Sequence, residues 1–266
     1  MRRECIVTMV MSCIEVELRK FFRSRVPLFT FLALLLVPFF GGFFMFVLKN
    51  PELAQSLGFI SAKAQLIGSA DWTSYLGLLA QSIAIGGLLV FGFVTSWIFG
   101  REFSDRTVND LLALPTSRNA IVLAKFAVAT FWCVFLTLMV LFAGLAAGTL
   151  VGLSGWSPQL FTKGIVVYFV CSTLTILLST PVGFIASVGR GYLSPLGFMI
   201  FTLALGQIVA VTGRGHIFPW SIPAIFSGVI ADSNILIEVP GVIIVLITSI
   251  AGLMGTTLWW TYADHA

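Results

Sequence analysis

The run GREFSDRTVNDLLALPTSRNAIVLAKF, Gly100 to Phe126, gathers Arg101, Glu102, Asp105, Arg106, Asp110, Arg118 and Lys125 in a chain of which only 10% is charged. Apolar sequence flanks it on both sides, Tyr75–Phe99 before and Ala120–Leu150 after. Each flank is at least as long as the roughly 20 residues that cross a bilayer as a helix. Soluble domains hold about 25% charged residues, so the medium around this chain is lipid. In lipid every backbone polar group must be satisfied internally, and continuous apolar runs of this length do so as helices. The class that follows is an all-α integral membrane protein.

Working outward, four more segments qualify as spans: about Leu28–Leu48, Gly164–Val188, Leu193–Thr212 and Val239–Trp260. The expectation is six transmembrane helices in a single transmembrane domain over residues 1–266. The span at 120–150 is longer than a bilayer needs and is expected to tilt or project. The first apolar run is too long for a signal-peptide core and no small-residue cleavage site follows, so it reads as an uncleaved span.

Charge sets the orientation. Arg2, Arg3, Arg19, Lys20, Arg23, Arg25, Arg101, Arg106, Arg118, Lys125 and Arg190 fall on one side, and only Lys49, Lys63, Lys163 and Arg214 on the other. Cytoplasmic loops carry the Lys/Arg excess, which places both termini in the cytoplasm. The net charge of +4 therefore belongs to topology and not to nucleic-acid binding. Cys5, Cys13, Cys133 and Cys171 show no metal-ligand spacing and no disulfide framework.

Two segments are neither spans nor plain loops. In Ser12–Val26, SCIEVELRKFFRSRV, residues Ile14, Leu18, Phe21 and Phe22 recur at helical spacing, with Glu15, Glu17, Arg19, Lys20 and Arg23 on the other face. This is the pattern of an amphipathic helix lying in the membrane interface. In the outer segment Gly213–Glu238, residues Ile217–Ala231 are largely apolar, too short to cross, and interrupted by Pro219 and Pro223. Such backbone is tolerated at membrane depth only inside protein or a wet cavity, so a re-entrant element between spans five and six is expected.

Several chemistries are missing. There is no GxxxxGK[ST] loop for nucleotide phosphates and no HExxH, and His216 and His265 stand apart. No catalytic residue and no metal site are assigned. The mid-span positions hold Ser, Thr and Gln (Gln81, Thr95, Ser96, Thr137, Ser172, Thr175 among them) in place of Asp, Glu, Lys or Arg. Ion-coupled carriers keep ionisable groups there, so the driving force is expected from a partner. A membrane enzyme would need paired catalytic groups within the spans, and none are present.

Returning to the insert, Val108, Leu111 and Leu112 make a small apolar ridge, Ser104 is a candidate N-cap and Pro115 a stop. A short helix with an apolar ridge and charged rim fits a groove on another protein. Its alternative is a solvated loop helix on the membrane.

The run REFSDRTVNDLLALPTSR resembles the segment after the second span in permease subunits of ABC-2 type exporters. There an acidic-aromatic pair, a Thr, a Leu pair and a Pro followed by Ser-Arg form the coupling-helix region. The matching positions are Glu102, Phe103, Thr107, Leu111, Leu112, Pro115, Ser117 and Arg118. The FPWSIP at Phe218–Pro223 is similar to a segment in permeases of the bacitracin and lantibiotic-immunity branch.

The resemblance implies a multi-pass permease of the bacterial plasma membrane, driven by a separate cytoplasmic ABC ATPase dimer that binds the ATP and Mg. No cofactor is bound directly. The ATPase contact would be the cytoplasmic coupling helix between spans two and three, with Asp105 and Arg106 in its rim, and the interfacial helix would be a second contact. A second copy or a related permease would complete the path, in contact with membrane lipid. The cargo would be amphipathic: a peptide antibiotic, a drug or a lipid-like molecule. Substrate-binding residues are not legible. The rival reading is a non-transporting membrane anchor or sensor that docks a cytoplasmic partner.

Overall fold

The computed structural model describes residues 2–50, 69–108, 116–228 and 239–263, with side chains from Met9 onward. Six helical stretches are long and apolar enough to cross a membrane. An N-terminal helix α1 (Arg2–Arg23) precedes the first span, α2 (Val26–Lys49). The second span has three pieces: α3 (Trp72–Ser82), a π-helical turn at Ile83–Gly87 and α4 (Leu88–Ser104). The third is α5 (Arg118–Val151), and the fourth is α6 (Pro158–Leu177) continued by α7 (Thr180–Val188). Then come α8 (Leu193–Val211), two 3-10 turns (Gly215–Ile217 and Pro219–Ser221), the short α9 (Ile222–Ser227) and the last span, α10 (Val239–Tyr262).

Local chemistry sets these boundaries. Asp71 caps α3 by accepting from the backbone N–H of Ser74 at 2.7 Å, and Ser117 caps α5 by accepting from Ala120 at 3.3 Å. At the far end of α5, Gly152 takes the left-handed conformation (φ 66°) that a residue with a side chain avoids. The Lys49 ammonium then donates to the carbonyls of Val151 and Gly152 at 3.0 and 2.9 Å, so the end of α2 closes the end of α5. The fourth span breaks at Leu178–Ser179 because Pro181 has no N–H for the carbonyl of Leu177. The hydroxyl of Thr180 takes that carbonyl at 2.9 Å.

The bundle is held by close helix approach. Gly144 and Gly148 of α5 face Leu79, Trp72 and Tyr75 of α3, where an added Cβ would lie within 2.5 to 2.7 Å of Leu79 and Trp72. These two are a true small-residue contact face, whereas Gly152, third in the same spacing, serves the cap. Gly252 of α10 lies against the backbone of Pro181, where a Cβ would be 2.5 Å from the proline nitrogen. With 34 residues, α5 is about 51 Å long, well beyond the roughly 30 Å hydrocarbon core. One end of the bundle carries α1, the end of α4, the starts of α5 and α8 and the end of α10, and with them Arg19, Lys20, Arg23, Arg25, Arg101, Arg106, Arg118 and Arg190. The other end carries Lys49, Asp71 and Trp156.

The helices agree with the six expected spans and extend all but the fifth, which ends at Val211. The N-terminal helix begins at Arg2 and not at Ser12. The π-turn, where Gly86 and Gly87 weaken the regular ladder, and the break before Pro181 were not anticipated from the apolar pattern.

Candidate functional site

Near the two ends of the charged insert, at Glu102 and Lys125, three helices meet at a buried ion cluster. Lys125, seven residues into α5, is fully buried. Its ammonium donates to Glu17 of α1, to Glu102 of α4 and to the carbonyl of Ile98, each at 3.1 Å. Lys20 of α1 contacts the same two carboxylates at 3.2 and 3.0 Å from the half-exposed side. The second oxygen of Glu102 accepts from the hydroxyl of Thr107 at 2.7 Å. Two carboxylates and two ammoniums leave the cluster neutral, which is how buried charges are retained in low dielectric. Burial alone would lower the Lys20 ammonium, but Glu17 and Glu102 beside it outweigh this and hold it above its ordinary value.

An aromatic shell surrounds the cluster. The Phe21 ring is buried between Trp97 of α4 and Trp132 of α5, with centroids at 5.8 and 5.4 Å. Trp132 donates to Thr30 of α2 at 3.0 Å. Phe103 packs edge-on to Trp260 of α10 at 5.9 Å, and Trp260 donates to Ser187 of α7 at 2.9 Å. The guanidinium of Arg118 donates to the last carbonyls of α10, Trp260 at 3.2 Å and Thr261 at 2.9 Å. The root of the insert thereby ties together six helices, α1, α2, α4, α5, α7 and α10.

The expected site residues divide accordingly. Glu102, Phe103, Thr107 and Arg118 come together here, but Glu102 is turned inward to Lys125 and is not offered to solvent. Asp105 and Arg106 are exposed, with Asp105 paired to Arg101 at 3.2 Å. Ser104 is the last residue of α4 and not an N-cap. The chain turns at Asp105–Arg106, with Arg106 left-handed (φ 58°), and helical backbone resumes at Val108, which is buried. Leu111, Leu112 and Pro115 lie outside the described residues. On α1, Ile14 and Leu18 are half-buried and Phe21 is buried, while Phe22 is exposed and touches Trp132 edge-on at 5.6 Å.

Glu17, assigned to the solvent face, is buried. It sits three residues after Ile14 and four before Phe21, which places it on the apolar face. That spacing and a lysine seven residues inside a span were the two signals for the pair, and neither names the other.

The segment after α8 enters the bundle. Ile222, Pro223 and Phe226 are buried, and the thiol of Cys171 in α6 donates to the carbonyl of Pro223 at 3.3 Å. Cys171 lies 13 residues, about 20 Å, along its helix from Pro158, so this is a re-entrant contact at depth and not a surface loop. Residues 229–231 of the expected element lie outside the described residues. Four of the mid-span hydroxyls are spent locally: Thr95, Thr137, Ser172 and Thr175 each donate to the carbonyl four residues back on their own helix, at 2.8 to 3.0 Å, whereas the buried Ser96 hydroxyl has no hydrogen-bond partner among the described residues. Among the described residues no group of three His, Cys, Asp or Glu is placed to hold a metal.

Residues 13–206 match the sequence profile of the family described as ABC-2 family transporter protein. The chain is also similar to the bacitracin transport permease protein BCRB of Bacillus licheniformis, 27% identical over 181 residues, covering 67% of this chain and 85% of that protein. No solved structure matches it.

Proposed function

The chain belongs to the ABC-2 family of transporter proteins, and from that premise we propose that it is the permease of an exporter whose motor, a separate cytoplasmic ABC ATPase, grips the insert after the second span. The buried ion cluster at the root of that insert carries the reading. A handle transmits force only if it is rigidly joined to what it must move, and a loop helix resting on the membrane needs no such anchor. Thr107 joins the insert to Glu102, Glu102 joins α4 to α5 through Lys125, and Glu17 brings α1 into the same body.

In this mechanism, closure of the ATPase on ATP pushes the segment 104–117. The push passes through the cluster into α4 and α5 and switches the spans between two packed arrangements. Glu102 acts as the anchor of the coupling region, while Leu111, Leu112, Asp105 and Arg106 supply the contact. Ile14, Leu18 and Phe21 hold α1 against the bundle along the interface. The basic end faces the cytoplasm, and with it both ends of the sequence, because that is where Lys and Arg accumulate. A second copy or a related permease completes the path. The cargo is an amphipathic molecule of the peptide-antibiotic, drug or lipid-like class. The name of the Bacillus relative, bacitracin transport permease, and the apolar, Phe-rich walls favour the first.

The test is a tagged pull-down from native membranes in mild detergent, followed by an ATPase assay of the eluate. A stoichiometric nucleotide-binding protein that hydrolyses ATP is the expected result. A chain that arrives alone under conditions preserving other membrane complexes overturns the proposal in favour of an anchor.

A further inference from the structure

Beside the ion cluster, α1 and the end of α4 enclose a cavity of about 500 Å³ lined by four cations, Arg19, Lys20, Arg23 and Arg101, together with Trp97 and Val16. Among the described residues no carboxylate lines it. Arg19 is paired to Glu15 only through an exposed i,i+4 contact, with side chains 75% and 64% exposed, and such a pair is given up at little cost. Arg101 is fixed in the wall by lying over the Trp97 ring at 5.1 Å and donating to the carbonyl of Lys20 at 3.4 Å. Among the described residues no carboxylate pairs with Arg23. Lys20 keeps its charge for the reason given above. Lys20 is balanced within the neutral cluster and Arg101 pairs with the exposed Asp105 at 3.2 Å. Arg23 is thus, among the described residues, the lining cation left without a carboxylate, and Arg19 and Arg101 hold theirs only through exposed i,i+4 contacts beside an indole.

Its depth is set by the chain. The first span starts at Val26, two residues after Ser24 in the cavity wall, and the apolar run of the second span ends at Phe99, two residues after Trp97. The cavity therefore sits where hydrocarbon gives way to headgroups, the level that indole rings favour. Basic pockets between helices at this level take phosphate-bearing headgroups.

We propose that this cavity binds the phosphodiester headgroup of an anionic phospholipid, wedged between α1 and α4. The proposal rests on the interfacial placement of α1 but not on export. Its readout needs no ATPase, so it fails or stands separately from the transport reading. A lipid seated here would touch Lys20 and Arg101, both bonded to elements of the coupling body, which makes the composition of the inner leaflet a determinant of how firmly α1 is held.

The experiment is native mass spectrometry of the full chain, delipidated in detergent and titrated with phosphatidylglycerol, or with phosphatidylcholine of the same acyl chains. One phosphatidylglycerol per chain is expected to survive activation, with phosphatidylcholine lost. Arg23→Gln should weaken that retention about fivefold. Arg25→Gln, the same charge change on an exposed residue outside the cavity, should leave it within twofold. Neither side chain touches the ion cluster, so both variants should fold. Equal retention of the two lipids, or equal loss in the two variants, overturns the site in favour of a diffuse basic surface. Displacement of the lipid by equimolar inorganic phosphate overturns it in favour of a free-anion site.

Discussion

Replacing Lys125 with methionine keeps the length and apolar stem of the side chain and deletes its charge. The cluster goes from two carboxylates and two ammoniums to a net charge of −1, and Glu17, Glu102 and the Ile98 carbonyl lose their buried donor at 3.1 Å. Removing one partner of a buried pair costs about 3–5 kcal/mol. Lys20 remains within 3.2 Å of both carboxylates and is reached by solvent, so the low end, about 3 kcal/mol, is expected. For a domain of this size that is a fall of about 6–12 °C in melting temperature, read on purified protein in one detergent. The charge explanation makes a sharper demand. Glu17→Gln added to Lys125→Met restores neutrality, so the double variant should recover most of the loss, with a coupling energy of about 1.5 kcal/mol or more. A loss under about 1 kcal/mol for Lys125→Met, or strict additivity of the pair, would refute the reasoning.

Three further outcomes are expected. Gly252→Ala drives a methyl to within 2.5 Å of the Pro181 backbone and should cost about 1–3 kcal/mol by the same melting assay, whereas Gly77→Ala, which meets nothing within 4 Å, should stabilise by about 0.5–1 kcal/mol. With the native cysteines replaced by alanine, an impermeant maleimide on intact cells should label Lys163→Cys and spare Arg25→Cys; the reverse pattern would invert the topology. Leu111→Asp with Leu112→Asp should weaken co-purification of the ATPase by about a hundredfold or more while membrane insertion is unchanged, and an undiminished yield of ATPase would count against the insert as its docking element.

How much of this was legible in the sequence depends on the range of the interaction involved. The spans were legible because lipid imposes a composition on every residue of a crossing helix, and Leu28–Leu48 or Val239–Trp260 need no partner to be read. The re-entrant segment was legible for the opposite reason: Pro219 and Pro223 in apolar sequence are an inconsistency that only burial resolves. The ion cluster was not. Glu17 and Lys125 are 108 residues apart, and although each is a charge on an apolar stretch, neither points to the other. The same holds for Ser104, which has the side chain of an N-cap but was claimed by the end of α4, and for Phe22, whose helical spacing matches its neighbours although Phe21 alone reaches the core. The fold followed from periodicity and composition, and the site from three helices converging.

In the proposed function, ATP hydrolysis by a partner moves cargo through this chain by way of the insert and its buried anchor. That route is tested most directly by reconstituting the permease with its co-purifying ATPase in inside-out vesicles and following uptake of a fluorescently labelled amphipathic peptide. The expected result is ATP-dependent uptake that Lys125→Met abolishes while the ATPase stays bound and hydrolysing. Hydrolysis without any ATP-dependent uptake by the unaltered complex, or uptake that Lys125→Met leaves intact, would contradict it.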